Sequence, residues 1–103
     1  MPKIQADSIY GIVKESFQLY EDNFDQVGTI YACEKGIVVK YKGQLIRAPY
    51  EYVRKMEKVS TLALGKVSVI FQIYDEAGIE HNIAAAINDI HYSSLKKLFP
   101  NLI

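Results

Sequence analysis

The chain has 103 residues, 11.7 kDa, half of them apolar and 23% charged: one domain with the balance of a folded globule, not of a disordered chain. Twelve Lys and Arg against twelve Asp and Glu leave no net charge, and Cys33 is the only cysteine. A general attraction to nucleic acid, an internal disulfide and a Cys-based metal cage are thereby set aside.

The longest unbroken apolar run, Ile83 to Ile87, falls far short of the ~20 residues of a membrane span. The first seven residues carry no apolar signal region, so a cytoplasmic location is expected. Turn signals at 21–23, 34–36, 42–43, 48–49, 63–65 and 75–78 separate short segments rich in Ile, Val, Tyr and Phe. That spacing predicts an antiparallel meander.

A first strand is expected over Ile9 to Leu19, with irregular alternation, and a hairpin over Val27 to Cys33 and Gly36 to Tyr41. Gly36 suits a bulge or a left-handed turn. Lys42-Gly43 turns the chain into a short strand, Gln44 to Arg47, and Pro49, which cannot donate to a ladder, marks a corner. A strand follows over Tyr52 to Ser60. The clearest strand is Lys66 to Tyr74, where Val67, Val69, Phe71 and Ile73 recur every second residue. Its partner is Ile79 to Ala86, joined through Asp75 to Gly78, and Gly78 can take the positive φ of a hairpin loop.

Seven strands result. From Asn88 the apolar spacing becomes helical through His91, Leu95, Leu98, Phe99 and Leu102. Asn88 or Asp89 can cap the helix, Lys96 and Lys97 complement its negative end, and Pro100 stops it. Its apolar stripe must dock on the open face or end of the sheet.

The stretch 36–59 carries a resemblance. Gly-Ile-Val-Val-Lys-Tyr-Lys-Gly-Gln-Leu-Ile-Arg followed by Ala-Pro-Tyr-Glu-Tyr-Val is similar to the pattern of pleckstrin-homology (PH) and GRAM domains, in which a hairpin leads to a proline–aromatic corner that opens a second sheet. The strand order and closing helix extend the likeness over nearly the whole chain. The resemblance implies a mainly β, α+β fold: a PH-like split barrel of seven antiparallel strands in two near-orthogonal sheets, capped by one C-terminal amphipathic helix, with residues 1–103 as a single domain. The chain departs from the pattern in having no Trp in its last helix, where Tyr92 or Phe99 would fill the volume. It also lacks the basic run of the phosphoinositide-binding members.

In the family the inositol phosphate sits among the loops after strands one, three and six. Here those loops carry Glu21, Asp22, Asp25, Asp75 and Glu76 against Lys42. Each like-charged pair ~4 Å apart costs on the order of 1 kcal/mol even in bulk water, which argues against a phosphoinositide at that place.

Charge divides along the chain: residues 1–34 carry net −4, residues 35–66 net +6 and residues 67–103 net −2. The middle cations Lys40, Lys42, Arg47, Arg54, Lys55, Lys58 and Lys66, with Lys35 beside them, are the candidate partner-binding set, against the plainer reading of lysines that guard edge strands. Phe24, in an acidic loop, is either a partner anchor or a plug over the barrel mouth. His81 and His91 are expected to pack side by side against the core, with no metal site, and Cys33 is expected to be a buried, inert thiol. No Gly-rich phosphate loop, nucleophile elbow or HExxH motif is present, so neither a catalytic residue nor a cofactor is assigned. The function expected is a non-enzymatic interaction module for a protein partner or a homo-oligomer. The alternative is peripheral binding to anionic lipid through the basic segment 35–66, and a pocket enzyme built around a histidine ranks third.

Overall fold

In the computed structural model, residues 6, 7, 9–21 and 25–99 are described. Strands β1 (Ala6–Asp7), β2 (Gly11–Tyr20), β3 (Gln26–Cys33), β4 (Gly36–Tyr41), β5 (Gln44–Pro49), β6 (Val53–Thr61), β7 (Lys66–Tyr74) and β8 (Glu80–Asn88) precede helix α1 (Asp89–Lys96). Seven of the strands form one antiparallel sheet in the order β5-β4-β3-β2-β8-β7-β6, while β1 pairs with β2 off that path. Two meanders, β2 to β5 and β6 to β8, are thus spliced through β2, whose last residue Tyr20 pairs with both Gln26 and Ala86. The sheet is not closed: β5 and β6 are its two edges, and the 3₁₀ turn Tyr50–Tyr52 runs between them.

Three strands differ from expectation, one of them β5, which runs past Arg47 so that Ala48 and Pro49, expected as a turn, pair with Ile37 and Gly36. The first long strand begins at Gly11, not Ile9, because Gly11 adopts a φ of 86° and folds β1 back as a short hairpin. A register shift between Val13 and Glu15 then reverses the faces of β2. Val13 packs with Tyr10, Cys33, Tyr31 and Val38 on the outer face, while Phe17 and Leu19 enter the core. This bulge is the cause of the irregular alternation in the sequence. Gly36 is neither a bulge nor a left-handed turn. It lies buried in β4 opposite Pro49, where a Cβ would meet the carbonyl of Ala48 and the ring of Tyr10.

Val67, Val69, Phe71 and Ile73 of β7 line the core with Ile30, Ile37, Val39, Val53 and Ile87. Each such side chain contributes roughly 1.5–3 kcal/mol by leaving water. Helix α1 covers this face with Tyr92 and Leu95, and Phe99 in the turn that follows joins them in the core. Asn88 occupies the cap position without a side-chain cap bond, since it remains in the ladder opposite Lys66. The N–H of Asp89 donates instead to the carbonyl of Gly65, at 2.9 Å. Leu98 and Phe99 donate to carbonyls three residues back, tightening the chain after Lys96. Pro100 and Leu102 lie outside the described residues.

Candidate functional site

The sheet order decides where the predicted cations fall. Residues 40–47 belong to β4 and β5 at one edge, whereas residues 54–66 belong to β6 and the start of β7 at the other. A stretch that is continuous in sequence is therefore split in space. Lys40 and Lys42 flank a depression of about 280 Å³ over Thr29, Tyr31 and Tyr41. Lys42 lies 3.9 Å from Glu21 and over the ring of Tyr41. Arg47 is committed elsewhere, its Nε donating to Asp7 Oδ1 at 3.0 Å.

Asp7 Oδ2 also accepts the N–H groups of Ile9 and Tyr10, each at 3.0 Å, so the carboxylate pins the β1–β2 turn to the outer face. Burial pushes that carboxyl up, but the N–H of Tyr10, the Arg47 side chain and the N–H of Ile9 outweigh it and hold it below the usual range. Cys33 is buried beneath this turn, and burial first, then Asp7, holds its thiol above the ordinary range. At the second edge Lys55 pairs with Glu57 at 3.6 Å and Lys58 with Asp89 at 3.7 Å. Lys66 sits over the ring of Tyr20, while Lys58 and Lys96 both lie within 6 Å of the Tyr92 ring centre. Arg54 lines a separate cleft with Tyr52 and Tyr74. Phe24 lies outside the described residues.

The two histidines engage different partners. His81 Nε2 is 2.8 Å from Asp75 Oδ2, whose other oxygen accepts the N–H groups of Ala77 and Ile79. The His81 contact, then the N–H of Ile79, hold the Asp75 carboxyl below its usual range. This pair fastens the β7–β8 turn. His91 packs edge-on to Phe17, 5.6 Å between ring centres, and its buried Nδ1 has no hydrogen-bond partner among the described residues. Among those residues no group of three or more His, Cys, Asp or Glu side chains converges.

The β6–β7 turn holds residues that composition did not single out. Leu64 (φ 59°) and Gly65 (φ 72°) both adopt left-handed backbone, and Lys66 N–H closes the turn on the Ala63 carbonyl at 3.3 Å. These are the signs of a type I′ turn, whose first central position favours Asn, Asp or Gly. Leu64 is nevertheless 76% exposed, and Ile90, which follows the residue bonded to Gly65, is 80% exposed. Val59, at a register shift in β6, is 54% exposed. Lys58, Lys66 and Lys96 stand around this end. Ile90 was detectable in the sequence as an apolar residue off the helical stripe of His91, Leu95 and Leu98. A leucine in a left-handed position has no such signature. No family model, curated protein or solved structure matches the chain. Of the described helices, none is long and apolar enough to cross a membrane.

Proposed function

We propose that the chain is a non-enzymatic interaction module of PH-like fold that binds a protein partner, or a second copy of itself, through the surface around Leu64 and Ile90. The fold part of this reading is supported by the four-plus-three meander, the strand shared between its halves and the closing helix. In that reading the two meanders are the two near-orthogonal sheets of a PH-like barrel.

The binding part is carried by Leu64. A left-handed conformation costs an ordinary residue roughly 1–2 kcal/mol, yet this side chain is 76% exposed and returns little of that cost to the fold. Strain held at an unburied apolar residue points to a gain made in a bound state. Lys58, Lys66 and Lys96 at the rim favour a partner with an apolar centre and an acidic border.

The same lysines beside exposed Leu and Ile favour a second reading, peripheral binding to an anionic bilayer. Light scattering on the purified protein at low and high salt, paired with co-sedimentation on phosphatidylcholine vesicles containing one-fifth phosphatidylserine, separates the readings. A protein contact predicts no vesicle uptake at physiological salt, with any dimer persisting in high salt and lost in Leu64→Asn. Vesicle uptake that fades with salt and is lost in Leu64→Asn would overturn it in favour of the bilayer.

A further inference from the structure

We infer that the protein associates with itself head to tail, Leu64 at the β6–β7 turn of one copy entering the cleft between the start of β6 and the β7–β8 turn of the next. The inference rests on the reading of Leu64 and Ile90 as a binding surface and names its partner, a second copy of this chain. The two halves of the contact lie at opposite ends of β7. The nine residues of that strand, at ~3.3 Å a step, set them roughly 26 Å apart.

The first half is a projection. Two successive left-handed residues, Leu64 and Gly65, carry the leucine at the tip of a tight turn, exposed beside Ile90. Around it stand Lys58, Lys66 and Lys96, against Asp89 at 3.7 Å from Lys58.

The second half is a hollow of about 380 Å³, lined by Tyr52, Arg54, Tyr74, Glu76, Ala77 and Gly78. Its two tyrosine rings and Ala77 offer contact to an apolar side chain, and Ile79 next to it is itself 58% exposed. The charge here is negative. Glu76 lines the hollow, while Asp75, bound to His81, and Glu80, bound to Tyr74, flank it; Arg54 alone among the lining residues is cationic. Glu76 accepts the Tyr10 hydroxyl on Oε1 at 2.5 Å, and its Oε2 has no hydrogen-bond partner among the described residues.

Three lysines against one carboxylate at the projection thus answer three carboxylates against one guanidinium at the hollow. Each end repels its own kind and attracts the other, so unlike ends pair. Both are set before contact. Lys66 N–H closes the β6–β7 turn, Asp75 fixes the β7–β8 turn through Ala77 and Ile79, and the Tyr10–Glu76 bond anchors that turn to the residue before β2. Little order is then lost on association. Because the ends differ, every added copy leaves one of each uncovered, and the association grows into rows instead of stopping at a pair.

The test is sedimentation of the purified chain over a concentration series, with two single variants and their mixture. A contact centred on so few apolar side chains is of the small, transient kind, so the mean mass of the wild type should climb past twice 11.7 kDa between about 10 µM and 1 mM. Leu64→Asn removes the projection and keeps the hollow. Ala77→Arg, at an exposed turn position, fills the hollow with a long cation and keeps the projection. Each should weaken self-association at least tenfold. Mixed in equal amounts they should form a one-to-one pair and nothing larger, since one intact projection meets one intact hollow. Lys40→Gln, at the opposite edge of the sheet, should associate as the wild type does.

A wild type that stays monomeric at 1 mM overturns the inference. So does Ala77→Arg associating like the wild type, which would mean a symmetric contact of the Leu64 ends, or a mixture no heavier than its components. Circular dichroism of both variants confirms that they are folded. The wider reading of the Leu64 surface fails on a different result, retention of a foreign protein equally by wild type and Leu64→Asn.

Discussion

Leu64→Asn separates stability from binding. At a φ of 59° beside Gly65 at 72°, asparagine recovers much of the roughly 1–2 kcal/mol that a left-handed conformation costs leucine, because its short polar side chain tolerates that region. The loss is small. Leu64 is 76% exposed, so only about a quarter of the ~2 kcal/mol available to a fully buried leucine is at stake, near 0.5 kcal/mol. The variant should therefore be about 0.5–1 kcal/mol more stable than wild type, a rise in Tm of roughly 2–8 °C for a domain of this size. Urea unfolding followed by far-ultraviolet circular dichroism measures it, with Leu64→Ala as the control that loses the side chain and keeps the strain. Leu64→Ala should gain nothing. Loss of stability in Leu64→Asn, or equal midpoints for the two variants, would refute the argument that this turn is strained for the sake of an exposed leucine.

Two further predictions concern the scaffold. Asp7→Asn keeps an oxygen for the N–H groups of Ile9 and Tyr10 but sets an amide against Arg47, and since Arg47 is 34% exposed the cost at pH 7 should be about 1–2 kcal/mol. The carboxyl of Asp7 is held below the 3.8 of a free aspartate, so its contribution is complete above that pH and is lost as the pH falls through the folded value. The gap between the unfolding midpoints of wild type and variant should narrow as the pH falls below 3.8, and an unchanged gap on acidification would count against the assignment. Gly28→Ala would drive a Cβ into the backbone carbonyl of Lys40, with Tyr41 Cα only 3.1 Å away; overpacking against a neighbouring strand should cost at least ~1–3 kcal/mol. An unaltered urea midpoint would show that the strands give way there.

The parts of the fold that obey one period were legible in the sequence. The Lys66–Tyr74 strand lies where its alternation places it, because one face is buried without interruption, and the Gly36–Tyr41 strand shows as an apolar run because Ile37, Val38 and Val39 are all buried, on both faces. The two-residue β1 carries no pattern to read, and the shift after Val13 hides the two faces of β2. The helix was visible as a stripe, but its cap was not, since the Gly65 carbonyl that takes the Asp89 N–H comes from a distant turn. The basic segment was visible as composition, but its division between two sheet edges follows from strand order, which no local pattern encodes. The cleft at Arg54 joins residues 52–54 to residues 74–78 through the β6–β7 pairing, so it too exists only after folding.

The most direct measurement is affinity capture from cell extract with two baits in parallel: wild type, and the Leu64→Asn/Ile90→Ser double variant shown by circular dichroism to be folded. Each protein retained is then titrated against both baits. A partner held by wild type and weakened at least tenfold by the double change is the result expected. Equal retention by both baits, with equal affinities on titration, would contradict a binding surface at Leu64 and Ile90.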